Sequence, residues 1–214
     1  GMPRKVRSGR GSPYIDVTLP CGSGIDLYFD PIVPDRILFE LEDRIRSRKP
    51  SIFAFNTSTT DAVDHRIESI VADGSSPSAE WEYNCFRRPY IPEIRVEIYG
   101  RGTLLVALAA MAKSLGWDVS VGSPEDDILE TISKLGVDTQ HLDTTQCYSG
   151  EKIDGWTANI LAFHDHEWEP DLLQKILRKS GFYVGVLGSR KTHSARCDAL
   201  RDLQCSEEAI QRIK

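Results

Sequence analysis

VEIYGRGTLLVALAAMAKSLGWDVSVGSP, residues 96–124, is the stretch whose reading decides the fold. Val96, Ile98 and Tyr99 form a short strand-forming run that meets Gly100-Arg101-Gly102. An apolar, helix-forming segment follows from Thr103 to Leu115. Gly116 then stands where a helix-ending glycine belongs, and Trp117 to Val121 is a second short strand. Strand, glycine turn, helix, strand is the first half of a nucleotide-binding α/β unit. Glycines at such a turn let the backbone approach a phosphate, and the helix start offers unpaired N–H groups and a positive dipole end. Two positions depart from the dinucleotide pattern. Leu105 stands where a third small residue is usual, and Gly122 or Ser123 stands where an acid would hold a ribose hydroxyl.

Downstream, the alternation continues. Pro124 to Leu135 reads as a helix with Glu125, Asp126 and Asp127 in its first turn, and Val137 to Gly155 is polar and turn-rich. Thr157 to Phe163 is an apolar run suited to a central parallel strand, ending at His164-Asp165-His166-Glu167. A helix over about residues 170–179, a strand from Gly181 to Leu187 and the turn Gly188-Ser189-Arg190-Lys191 follow, then a helix to about Leu203 and a short one opened by Ser206. This order predicts an α/β fold, with a Rossmann-like, mostly parallel sheet and helices on both faces. Three polar turns fall at the carboxyl edge of such a sheet, where ligands bind.

Upstream, residues 13–91 read as a smaller α+β domain, with 1–12 as a flexible basic arm and 92–214 as the Rossmann-like domain. Tyr14 to Leu19 and Ile25 to Phe29 alternate as a hairpin around Pro20-Cys21-Gly22-Ser23-Gly24. Pro34 opens a helix with Ile37, Leu38, Leu41 and Ile45 on one face. Ser51 to Phe55, His65 to Ala72 and Trp81 to Arg87 read as strands, before the proline-stiffened connection Arg87 to Pro92.

The bulk numbers set the class. A chain of 214 residues, 40% hydrophobic and 27% charged, has the composition of an ordinary globular protein. A net charge of -6 argues against nucleic acid as a partner, and no apolar run approaches a membrane span. Five scattered cysteines without C-x-x-C spacing read as free thiols in a cytoplasmic protein.

Each turn carries a chemistry. Gly188-Ser189-Arg190-Lys191 offers backbone N–H groups, a hydroxyl and two cations to an anion, or is a plain turn with solvated basic residues. His164 and His166 around Asp165 suit either a metal, with further ligands from elsewhere, or polar ligand contacts. Cys21, between proline and glycines, is a candidate nucleophile, sulfur carrier or soft-metal ligand, or else a small residue at a hairpin tip.

Four stretches, Leu19 to Asp26, Tyr99 to Gly102, Phe163 to Glu167 and Phe182 to His193, together resemble the xanthine dehydrogenase accessory protein family, the XdhC/CoxI group, over about residues 11–214. The resemblance implies a Rossmann-type domain behind a smaller one. It implies an accessory protein rather than an enzyme, one that binds molybdenum cofactor (molybdopterin) transiently, assists its sulfuration and delivers it to a molybdenum hydroxylase such as xanthine dehydrogenase. A sulfurtransferase is an implied partner. By position, Cys21, Gly22 and Gly24, then Gly100, Gly102 and Thr103, then His164 and Asp165, then Gly188, Ser189 and Arg190 are the implied cofactor-binding residues. Thr103 replaces the family's usual histidine, and Ser123-Pro124-Glu125 its Asp-Pro-Arg. An NAD(P)-binding oxidoreductase is the alternative from the βαβ unit. A shortened member acting only as an interaction module is another. Exposed sheet edges further predict a homodimer that covers them.

Overall fold

The computed structural model describes residues 2–13, 20–57, 64–70, 78–144, 152–163 and 167–214. The chain divides into two compact units, Gly1–Pro92 and Glu93–Lys214.

In the first unit, β1 (Arg4–Gly9) and β2 (Gly24–Phe29) form an antiparallel ribbon with Arg4 opposite Phe29. The basic stretch expected to be a loose arm is therefore a strand. Its charges are met across the ribbon: Lys5 and Arg7 lie 3.2 and 2.9 Å from the Asp26 carboxylate, whose pKa they lower. The expected partner of β2, Tyr14 to Leu19, lies outside the described residues. Helix α1 (Asp35–Arg46) buries Ile37 and Leu41 and packs on β3 (Ser51–Asn56) and β4 (Asp64–Ser69). The strand expected over Trp81 to Arg87 is two, β5 (Glu80–Glu82) and β6 (Cys85–Tyr90), because Tyr83 takes a positive φ of 51° and reverses the chain. The antiparallel order is β4-β3-β6-β5. Tyr28 of β2 stacks on Phe55 at 5.2 Å, and Phe55, Trp81 and Phe86 continue the aromatic cluster. Beside it, His65 Nε2 and Asp30 Oδ2 form a buried pair at 2.7 Å.

The second unit is the expected Rossmann-like fold. Its elements are β7 (Arg95–Gly100), α2 (Thr103–Ser114), β8 (Asp118–Ser123), α3 (Asp126–Ser133), β9 (Asp138–His141), β10 (Thr157–Ala162), α4 (Glu169–Leu177), β11 (Tyr183–Val186), α5 (Arg190–Asp202) and α6 (Glu207–Ile210). The five strands are all parallel, in the order β11-β10-β7-β8-β9. Strand β9 falls in a segment expected to be polar loop. All four of its side chains are exposed, so it has no apolar alternation, and backbone pairing with β8 alone makes it a strand.

Alternation along the central strands assigns the two faces. Val96, Ile98, Val119 and Val121 pack with Leu105, Ala109, Leu129 and Ile132 from α2 and α3. Tyr99, Leu161 and Val184 pack with Leu172, Leu173, Ile176, Cys197 and Leu200 from α4 and α5. Leu105 is completely buried, so the departure at the third small position adds apolar contact instead of opening a gap. At about 1.5–3 kcal/mol for each fully buried Leu, Ile or Val, these two layers drive the fold.

Polar groups also enter this core. The Tyr99 hydroxyl donates to the Glu97 carboxylate within it. Arg196 in α5 and Glu169 in α4 form an ion pair with both side chains 2% exposed and Nε 2.9 Å from Oε2. Asn159, in the middle of β10, is wholly buried, and among the described residues neither its Oδ1 nor its Nδ2 finds a partner.

These groups make the core sensitive to substitution in two directions. Removing one partner of the ion pair, as in Glu169→Gln or Arg196→Met, strands the other charge and lowers unfolding free energy by about 3–5 kcal/mol in urea titrations. The double Glu169→Leu/Arg196→Met variant loses less than the two single losses combined. Asn159→Leu removes two unpaired polar groups at similar volume and raises stability by about 1–3 kcal/mol. A loss of that size instead means that the amide is satisfied.

Candidate functional site along the carboxyl edge of the parallel sheet

Because every strand of this sheet is parallel, the segments leaving β7, β10 and β11 emerge at one edge. Strand β7 has β8 on one side and β10 on the other, so the strand order reverses between β7 and β10, where α/β sheets open a crevice. The turns after β7 and β11 lie on this edge. His164 and Asp165, expected as the middle corner, lie outside the described residues together with His166, and only Phe163 before them and Glu167 after them are placed.

At the first corner, Gly100 and Gly102 have separate reasons. A Cβ on Gly100 would meet the Ala162 carbonyl of β10, so side-chain-free backbone lets β7 and β10 close at their ends. Gly102 has φ 79° and ψ 178°, a conformation that disfavours L side chains, and it is the N-cap of α2. Thr103 opens the helix and is exposed. The Gly102 N–H does not point to open solvent. It donates to Glu125 Oε2 at 2.7 Å, a carboxylate brought from the loop after β8. Where an acid would grip a ribose, the chain has Ser123, fully buried, whose Oγ accepts from the Glu125 N–H at 3.2 Å.

Arg101 ties this corner to the next. Its guanidinium carbon lies 5.9 Å from the ring centre of Trp168, which is stacked on Phe163 at 5.9 Å and 4°. Trp168 is the N-cap residue of α4, and Glu169 next to it holds Arg196. Arg196 Nη2 in turn donates to the Leu187 carbonyl at 2.9 Å, just before Gly188. A continuous set of contacts thus runs from the glycine turn after β7, past the end of β10, to the turn after β11.

At the third corner, Ser189 is the N-cap of α5. Its Oγ accepts from the Thr192 N–H at 3.2 Å and lies 3.0 Å from the Thr192 hydroxyl, so this hydroxyl orders the turn. Gly188, Ser189, Arg190 and Lys191 are all exposed. Helix α5 has no acid in its first turn, whereas α3, α4 and α6 each have two. Two cations instead sit at the positive end of its dipole, an arrangement that an anion relieves.

Cys21 belongs to the other unit. It is exposed in the turn before β2, and Gly22 beside it has a φ of 66°. Hydrogen bonds from the Ser23 side chain and backbone stabilise the thiolate and lower the pKa of Cys21 below the ordinary thiol value. Gly24 begins β2 and packs against the Arg10 carbonyl and Arg7. Among the described residues, no group of three or more His, Cys, Asp and Glu side chains is placed to hold a metal ion, and no helix is long and apolar enough to cross a membrane. Glu125, Glu169, Arg196 and Trp168 are the site residues that sequence reasoning missed. Of these, only the pattern departure at Ser123-Pro124-Glu125 carried a local signal.

Comparison with known proteins agrees with the fold. The model of the XdhC Rossmann domain matches residues 96–214. The molybdenum cofactor insertion chaperone PaoD of Escherichia coli (strain K12) is 29% identical over the whole of this chain, which spans 58% of that protein's length. A solved structure from Bacillus halodurans, described as a xanthine dehydrogenase, superposes with a TM-score of 0.57 at 19% identity, covering 92% of this chain and 65% of that one, and so shares the fold. With residues 96–214 matched, more than half of its length, the chain belongs to the XdhC family.

Proposed function

We propose that the carboxyl edge of the parallel sheet holds molybdenum cofactor as cargo, and that the chain is an accessory chaperone that passes it to a molybdenum hydroxylase such as a xanthine dehydrogenase. The observation that carries this reading is the contact chain Arg101–Trp168–Glu169–Arg196–Leu187, which fixes the exposed Gly188-Ser189-Arg190-Lys191 turn beside the crevice. The cofactor is a pterin with a phosphate, and its anionic end suits that turn. The relative named as a molybdenum cofactor insertion chaperone, similar along the whole of this chain, supports the same cargo.

His164 and Asp165 follow β10 in the chain and, with Gly100, Gly102 and Thr103, line the proposed crevice, where the Gly102 N–H stays on Glu125 and takes no phosphate. Cys21 contributes a thiol with an accessible thiolate, suited to a sulfuration step that a sulfurtransferase partner would feed. Ile25, Leu27 and Phe29 of β2 are exposed on one side of the ribbon, which favours association of two copies. The dinucleotide alternative is disfavoured by Ser123 at the strand end and by Glu125 on the glycine-turn N–H.

Equilibrium binding of molybdenum cofactor to the full chain under anaerobic conditions tests the reading. Saturable binding is expected, weakened at least about tenfold in Arg190→Ala/Lys191→Ala, which loses two charge-assisted contacts. Absence of cofactor binding, or tight NAD(P) binding with hydride transfer, contradicts it. The thiol has its own test. Alkylation of Cys21 by iodoacetamide should reach half its maximal rate at a lower pH than an ordinary thiol, because the lowered pKa populates the thiolate earlier. Ser23→Ala should move the profile up towards the ordinary value, and an unmoved profile denies Ser23 that role.

A further inference from the structure

Among the described residues, α2 and α5 are the helices of the parallel-sheet unit without an acid in the first turn, and no side chain of its own caps α2. The carboxylate that meets the start of α2 comes from Glu125, 23 residues after Gly102 in the chain. That carboxylate is not on a loose loop. Ser123 Oγ accepts the Glu125 N–H at 3.2 Å, and the Glu125 carbonyl accepts from the Leu129 N–H at 3.1 Å as α3 begins. With its backbone pinned at both sides, Glu125 is half-buried and aimed at the Gly102 N–H at 2.7 Å.

That N–H is the donor a pyrophosphate would require at a β–α glycine turn. We infer that Glu125 is an internal plug and a specificity-determining residue: its carboxylate takes the phosphate position on Gly102 and closes the β7–α2 turn to dinucleotides and nucleoside diphosphates.

The surrounding charges agree. Asp126 and Asp127 follow Glu125, and His141 bridges Asp126 and Asp143 at 2.7 and 3.3 Å, so acids dominate the β8–β9 end of the edge. The cations Arg190 and Lys191 stand at the β11 end. An anionic group meets repulsion at α2 and attraction at α5, which steers it away from the glycine turn.

The refusal of dinucleotides stands apart from the cargo reading; only the steering of the cargo phosphate to α5 rests on it. Titration calorimetry with ADP and with NAD⁺ on the full chain tests the plug, using Glu125→Gln, which keeps the side-chain length, and Glu125→Ala, which empties the position. Thermal melts select the variant to compare with wild type, the one whose transition is unchanged. Wild type is expected to show no saturable binding at millimolar ligand, and the variants to bind ADP at least about tenfold tighter than it does. Amide exchange at Gly102 should also quicken in Glu125→Ala. Wild-type binding of ADP or NAD⁺ as tight as that of the variants, or folded variants that gain nothing, overturns the inference. If the variants gain ADP binding while molybdenum cofactor fails to bind wild type, the plug stands and only the cargo reading falls.

Discussion

The buried pair of Glu169 and Arg196 is the constraint on which the rest of the edge depends. Two charges, each on a side chain almost wholly shut from water, are held 2.9 Å apart between α4 and α5. Withdrawing such charges from water costs several kcal/mol each, so the pair persists only where its geometry and further hydrogen bonds are in place. Here the guanidinium also binds the Leu187 carbonyl, which anchors the turn after β11 to the start of α4. Apolar packing alone would hold the two helices together. It would not fix where the Gly188 turn stands relative to the end of β10, because apolar contact is non-directional.

Charge is distributed along the edge rather than spread evenly. Carboxylates gather where β8 and β9 end, and one of them closes the start of α2. Cations gather at the start of α5. The ordinary nucleotide-binding plan of this fold puts phosphate at the first glycine turn. In this chain that plan keeps its backbone while the Glu125 carboxylate accepts from the Gly102 N–H, and the proposed anion site lies across the sheet at the start of α5. On that proposal, the ligand class changes by moving charges, with no change in strand order.

Much of this is legible from residues alone, and the limits have physical causes. The central strands announce themselves because they are buried on both faces, as the apolar runs at Val96 and Thr157 show, and each glycine turn punctuates a strand–helix junction. Strand β9 is invisible in the sequence because an exposed edge strand needs no apolar side chain. The pairing of Arg4–Gly9 with β2 escapes notice because the basic residues read as solvated, and Asp26, which meets Arg7, lies 19 residues further along the chain. The ion pair spans 27 positions and joins two helix faces, so no local pattern encodes it. Ser123-Pro124-Glu125 stands out as a departure, yet it is the fold that turns Glu125 back onto Gly102, 23 residues earlier in the chain.

The central claim is that one edge, fixed by this ion pair, receives an anionic cofactor at the start of α5. Hydrogen exchange of the full chain with and without molybdenum cofactor tests it most directly, since amides buried by a ligand slow their exchange. Slowed exchange at residues 188–191, with little change at Gly102, is the predicted footprint. Protection centred on residues 100–104 and absent from 188–191 would contradict the account.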